Sequence, residues 1–271
     1  MAPEPNNSAN SLLARARQHL AHAVRFVRPV LDWIGSHEVS VLIALFLLCV
    51  AVWGFIELAD EVNSGDTARF DEWAIRALRD PNDLGRPIGP RWLAELGRDI
   101  TALGGIGFVT LLTITVAGFL WLKRLYGAMW LVVLAAISGV AVNMTLKNLF
   151  DRPRPDLVPH LSHVYTSSFP SGHSMLSATV FLTLGALLAR FVDSQLLKAY
   201  FLIVAVVLTL LVGVSRVYMG VHYPTDVLAG WAAGLAWALV CWLLARFLQR
   251  RGAVVQNLED SNPSAGNRAA E

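Results

Sequence analysis

The sequence predicts an all-α, polytopic membrane protein, a six-transmembrane-helix bundle whose active-site loops lie on the extracytoplasmic side. Three observations lead there. Of 271 residues, 55% are hydrophobic and 15% charged, with a mean hydropathy of +0.51, too apolar for an ordinary soluble domain. Six apolar stretches, at 39–59, 100–122, 125–146, 174–192, 196–215 and 226–248, reach or approach the ~20 residues a helix needs to cross a bilayer core. The lysines and arginines of the short loops between them favour one orientation.

Taken in order, residues 1–37 form a basic segment ahead of the first span. Arg15, Arg17, Arg25 and Arg28 are interleaved with apolar residues, which is unlike a cleavable signal peptide. Leu13, Leu20, Val24, Val27 and Leu31 recur at helical spacing, so a basic amphipathic cytoplasmic helix on the inner leaflet is expected, a basic tail that only fixes orientation being the other reading. The membrane domain is 38–249. Within it the 60–99 stretch is an outer loop in which "RFDEWAIRALRD" places Phe70, Trp73, Ala74, Ala77 and Leu78 on one helix face, with Ile75 off that face. A helix lying on the outer leaflet and a lid over a site both fit. Residues 250–271 have little apolar periodicity and are expected to be a disordered cytoplasmic tail.

Glycines 104, 105, 127, 139, 185, 230 and 234 fall in the spans and suit close helix packing in lipid. Cys49 and Cys241 lie in mid-span and are expected as core filler without a disulfide framework. The net charge of +2 is spread over several loops, which argues against nucleic acid as a partner.

With the N-terminus cytoplasmic, Lys123, Arg124, Arg190, Lys198, Arg246, Arg250 and Arg251 fall on the cytoplasmic side. The stretches 60–99, 147–173 and 216–225 then face outward, and three polar clusters emerge together. In "KNLFDRPRP", Lys147 ends the third span and Arg154-Pro155 follow; alone, this reads as a snorkelling lysine and a proline stop. Pro170-Ser171-Gly172-His173 opens the fourth span, where a helix N-terminus offers unpaired N–H groups to an oxyanion, Ser171 is placed to cap it, and Gly172 puts no Cβ in the way. In "SRVYMGVHYPTD", His222 has Asp226 one helical turn on, a carboxylate able to hold one ring nitrogen and leave the other for a substrate. Three cations, a hydroxyl, helix-terminal amides, two histidines and an aspartate describe an oxyanion pocket with a nucleophile and a proton donor.

In these residues the chain resembles the type 2 phosphatidic acid phosphatase family, of one superfamily with the vanadium haloperoxidases. The signature is Lys147…Arg154-Pro155, Pro170-Ser171-Gly172-His173 and Ser215-Arg216…His222…Asp226, with no departure in identity or spacing. The resemblance implies that His222 is the nucleophile that forms a phosphohistidine, Asp226 its orienting carboxylate, and His173 the general acid and then base. It implies that Lys147, Arg154, Ser171, Gly172 and Arg216 bind the phosphoryl oxygens. With three side-chain cations the reaction is expected to need no metal or other cofactor; Asp151 is the nearest spare carboxylate, as well placed to pair with Arg152 or Arg154 as to bind a metal.

The expected partners are the bilayer and a lipid phosphate or diphosphate, with undecaprenyl diphosphate, phosphatidylglycerophosphate and phosphatidate as candidates. The location implied is the inner (plasma) membrane, with cytoplasmic termini and a site facing the periplasm or exterior. A phosphotransferase passing the same phosphohistidine to a lipid or sugar hydroxyl would use identical residues. A transporter fits less well, because the span interiors have almost no ionisable groups to relay charge.

Overall fold

The computed structural model describes residues 39–156, 158 and 167–250, the side chain of Arg250 excepted. The expected basic segment at 1–37 and the tail beyond Arg250 lie outside the described residues. The chain divides into two compact units, 1–46 and 47–271; of the first, only the opening turns of helix α1 (Val39–Ser64) are described.

After α1 come α2 (Ala68–Ala77), a short antiparallel hairpin of β1 (Arg79–Asp80) and β2 (Asp83–Pro87), α3 (Arg91–Ala102), α4 (Ile106–Leu122), α5 (Tyr126–Leu149), α6 (Gly172–Arg190), α7 (Gln195–Tyr218) and α8 (Pro224–Arg250). Among the described residues five helices are long and apolar enough to cross a membrane: α1, α5, α6, α7 and α8. α3 and α4 pass the same test of length and composition only as a pair, bent by 50° at the break between them.

That bend corrects the expected continuous helix at 100–122. α4 alone has 17 residues, short for a bilayer core. The break falls at Leu103-Gly104-Gly105, and glycine costs roughly 1 kcal/mol in a helix interior relative to alanine. α3 carries Arg91, Glu95, Arg98 and Asp99, which keep it from the lipid interior. Hydropathy ran the last residues of α3 into α4 because Ile100, Thr101, Ala102 and Leu103 carry no charge.

The hairpin is a second departure from a purely helical reading. Its turn is held locally, with Asn82 N donating to Asp80 Oδ1 at 2.9 Å and Gly85 N to Asp83 Oδ1 at 2.9 Å, the backbone-mimicking bonds that make Asp and Asn turn formers. Helix α2 forms within the stretch that the periodicity marks. Its Phe70 and Trp73 face outward, at 50% and 65% exposure, while Asp71 and Ile75 are fully buried. The residue off the apolar face is therefore the one that docks on the protein, and the aromatic face points away from it.

α6 is the central helix, packed against α5, α7 and α8 and buried along most of its length. Ser174, Ser177, Ala178, Thr179 and Thr183 give it a thin profile, so neighbouring backbones approach closely. α8 meets it through Gly234, where an added Cβ would stand 2.5 Å from Met175 O. Large apolar side chains on the outer faces, such as Trp53, Ile56, Leu111, Ile114, Trp130 and Ile203, are exposed, as a lipid-facing belt requires. Cys49 belongs to that outer face and is not core filler; Cys241 is half-buried. An outward position in α1 costs a thiol little when the surroundings are hydrocarbon.

Candidate active site

Helices α5 to α8 alternate in direction, so the C-terminal ends of α5 and α7 and the N-terminal ends of α6 and α8 meet at one end of the bundle. That end is the opposite one from Lys123, Arg124, Arg190, Lys198 and Arg246. All three sequence clusters arrive there. Lys147 is in the last turn of α5, Ser171 is the residue before α6, Arg216 is in the last turn of α7, and Asp226 is in the first turn of α8.

The first cluster reaches the third through two cations that share an acceptor. Lys147 Nζ donates to Ser167 O at 2.6 Å, and Arg154 Nη2 to the same oxygen at 3.4 Å. Ser167 Oγ returns a bond to Lys147 O at 3.0 Å. Arg154 Nη1 donates to Val221 O at 2.8 Å and stands 3.2 Å from His222 Nε2. A guanidinium has donors only, so Nε2 is the nitrogen with the free lone pair and Nδ1 carries the proton of the neutral ring.

The Nδ1 side meets the carboxylate. Asp226 Oδ2 is 3.4 Å from His222 Nδ1 and accepts from Tyr223 N at 2.9 Å and from the Ser168 hydroxyl, whose oxygen is 3.4 Å from Nδ1. Asp226 Oδ1 accepts from Arg152 Nη1 at 2.7 Å. His222 is 1% exposed and Asp226 fully buried. Burial drives the His222 imidazole down to about 3, Arg216 and Arg154 add to the shift, and contact with Asp226 opposes it. The ring is therefore neutral at ordinary pH, the state in which Nε2 has a lone pair to offer. Burial also lowers the Arg154 guanidinium. Burial opposes the charge on Arg152 as well, but the Asp226 and Asp71 carboxylates outweigh it and raise this arginine.

Arg216 is 2% exposed and reaches across to α3, with Nη1 donating to Thr101 Oγ1 at 2.9 Å and Nε without a partner among the described residues. His173 sits against the break between α3 and α4: a Cβ on Gly105 would be 3.7 Å from His173 Nε2, and one on Gly104 would be 3.1 Å from His173 O. The bend missed from sequence is what makes room for this histidine. His173 also lies within electrostatic reach of Arg216, His222, Arg154 and Lys147.

Ser171 differs from its expected role. It occupies the N-cap position but makes no capping bond; its hydroxyl is fully buried and accepts from Ser174 Oγ at 2.9 Å. The first-turn amides of α6 are left without a side-chain acceptor, the state in which a helix N-terminus attracts an oxyanion. A Cβ on Gly172 would be 3.0 Å from Asn143 Oδ1 and 3.6 Å from Lys147 Cε, so the site has little space there for any side chain. Asp151 pairs with neither arginine: it is exposed, in a cleft with Lys147, Asn148 and Ser167, while Arg152 binds Asp71 and Asp226.

Ser167, Ser168, Thr101, Asn143 and Asp71 support the site from outside the three clusters, and Arg152 does so from inside the first without being one of its signature residues. Asn143 had a local signal, being one helical turn before Lys147. The two serines lie immediately before Pro170 in an extended stretch. Asp71 and Thr101 come from a region whose pairing is set only by the folded chain. Among the described residues no three His, Cys, Asp or Glu side chains gather so as to hold a metal ion.

Comparison with known proteins finds a sequence family described as the PAP2 superfamily matching residues 127–250. Phosphatidylglycerophosphatase B of Bacillus subtilis is 38% identical over 148 residues, 53% of this chain and 71% of the relative. Lipid A 1-phosphatase of Rhizobium etli is 32% identical over 177 residues, 55% of this chain and 71% of the relative. Among solved structures, a transmembrane PAP2-type phosphatidylglycerolphosphate phosphatase from Bacillus subtilis superposes with a TM-score of 0.67 at 30% identity, covering 76% of this chain and 97% of that one.

Proposed function

We propose, because the chain belongs to the PAP2 superfamily and is a membrane lipid phosphatase, that it hydrolyses its substrate in two steps through a phosphohistidine on His222. The observation that supports this most directly is the placement of His222 between Arg154 at Nε2 and Asp226 at Nδ1. A phosphoryl oxygen taking the place of the imidazole on Arg154 would bring phosphorus to the lone pair that Arg154 now holds.

In the first step the Nε2 lone pair forms the N–P bond and the P–O bond to the leaving group breaks. The oxygen that leaves takes a proton from His173. The ring then carries a positive charge, which the Asp226 carboxylate balances. In the second step the neutral His173 takes a proton from water, the water oxygen bonds to phosphorus, and the N–P bond breaks with its electron pair returning to Nε2. Lys147, Arg154, Arg216, the Ser171 hydroxyl and the amides at Gly172 hold the equatorial oxygens while charge develops on them. These cations take the place a divalent metal fills in other phosphoryl transfers, so the reaction is metal-independent.

The site faces the periplasm or exterior of the inner (plasma) membrane, a placement supported by the basic residues at the other end of the bundle. Its position at the ends of lipid-exposed helices suits a substrate whose tail stays in the leaflet. Phosphatidylglycerophosphate, undecaprenyl diphosphate and phosphatidate are the candidates, and by their names the relatives act on phosphorylated lipids.

The test combines a panel of these lipids in detergent with trapping of the intermediate. Brief exposure to lipid carrying labelled phosphate, followed by quenching, is expected to leave acid-labile, base-stable label on the wild-type chain and none on His222→Ala. Label on the His222→Ala protein, or turnover above about a few per cent of wild type where loss of a covalent nucleophile costs orders of magnitude, would overturn the assignment.

A further inference from the structure

We propose that Asp71 and Arg152 are positioning residues that set the charge and orientation of Asp226, so that the extramembrane helix α2 is part of the catalytic apparatus; this rests on the phosphohistidine reading above. Asp71 lies outside the three clusters, and Arg152 lies inside the first without being one of its signature residues. Arg152 is two positions from Arg154, but its terminal nitrogens face away from the oxyanion pocket. Nη1 donates to Asp226 Oδ1 at 2.7 Å and to Thr225 Oγ1 at 2.8 Å, and Nη2 donates to Asp71 Oδ2 at 2.7 Å. The guanidinium carbon lies 4.5 Å from the centre of the Tyr223 ring, which fixes its plane.

Asp71 is bound as tightly on its own side. It accepts from Thr225 Oγ1 at 2.6 Å and from Thr225 N at 3.2 Å, so both of its oxygens are used by groups that flank Asp226 in sequence or in space. Both carboxylates are fully buried and Arg152 is 15% exposed. Two buried carboxylates thus share one arginine, and the triad keeps a net charge of −1. A buried Arg152–Asp226 pair without Asp71 would be neutral. The positive ring of a phosphohistidine at His222 would then lose the counter-charge that its formation requires. Asp71 also turns Arg152 toward Oδ1, which leaves Oδ2 for His222 Nδ1. The arrangement explains why a helix outside the membrane spans buries an aspartate against the start of α8.

The test is steady-state kinetics on the purified full-length protein with Asp71→Asn, Arg152→Lys and Arg152→Gln, alongside product inhibition by inorganic phosphate, a tetrahedral oxyanion that occupies the phosphate pocket without bonding to the imidazole. Asp71→Asn and Arg152→Lys are expected to lower kcat by about 10- to 100-fold, as misplaced orienting groups do. KM and the inhibition constant of inorganic phosphate are expected to stay within about threefold, because neither residue touches the oxyanion. Asp71→Asn combined with Arg152→Gln is expected to be no worse than Arg152→Gln alone, since both remove one ion-paired unit. The proposal is overturned if kcat is unchanged in the folded Asp71→Asn and Arg152→Lys variants, or if KM rises and phosphate inhibition weakens while kcat holds. Loss of folded protein in both of these near-isosteric variants also overturns it, by making the triad a folding element. A His222→Ala control separates the two readings: an active control defeats the phosphohistidine, whereas an inactive control beside fully active Asp71 and Arg152 variants defeats only the positioning role.

Discussion

Arg154 Nη1 lies 3.2 Å from His222 Nε2, so a donor from the loop after α5 covers the one lone pair that the turn before α8 presents. Two chain segments 68 residues apart are thereby brought to a single reaction coordinate. Arg154→Lys tests the geometry, because an ammonium is a point charge and cannot serve Val221 O, Ser167 O and a bound oxyanion in one plane. A fall in kcat of about 10²-fold is expected, the usual result of losing one oxyanion donor, measured as phosphate released at saturating lipid.

Thr101→Val removes the hydroxyl that accepts from the buried Arg216. An unpaired buried donor costs about 1–3 kcal/mol, so the melting temperature in detergent is expected to fall and activity with it. Thr101→Ser keeps the oxygen and is expected to stay near wild type in both measurements.

The His222 imidazole takes up its proton near 6.5 when unfolded and near 3 in the fold. Between these values the unfolded chain holds the additional proton, so this residue lowers stability as pH falls from 6.5 toward 3 and has no such effect above 6.5. Thermal melts across that range are expected to show a shallower acid slope in His222→Gln than in wild type. An equal slope would mean that the ring titrates normally in the fold.

Gly220 has φ of 72°, and a Cβ there would meet Arg79 Nη2 at 2.5 Å and Val158 Cγ2 at 2.7 Å. Gly220→Ala is expected to destabilise by about 1–3 kcal/mol from the backbone conformation alone, read as a lower melting temperature. Because the turn leads straight into Val221 and His222, kcat is expected to fall as well.

Activity is expected to survive excess EDTA, since the groups placed to hold the phosphoryl oxygens are side-chain cations and amides. The check is phosphate release before and after chelation. Recovery that depends on added Mg²⁺ would contradict the mechanism.

The parts of the site that were legible in sequence are those whose chemistry is local. A lysine and an arginine at the end of a span, a glycine after a serine at a helix start, and a histidine four residues before an aspartate each announce a role within one motif. What was not legible depends on partners far along the chain. Asp71 gave no sign that it faces Arg152, because an acidic residue on an amphipathic helix reads as solvated. The sharing of Ser167 O by Lys147 and Arg154 needs the folded loop. Hydropathy joined α3 to α4 because averaging over about 20 residues cannot register a 50° turn made by two glycines. Ser171 read as a cap because isolated helices need one, whereas here a neighbouring serine hydroxyl occupies it.

One contact between the second and third motifs involves no side chain: Ser171 N donates to Asp226 O at 2.9 Å. The bond needs no particular side chain at either position, only an N–H at 171, so the spacing between the start of α6 and the start of α8 is set by the main chain. Side chains around it can then change while this main-chain tie between the two motifs is kept.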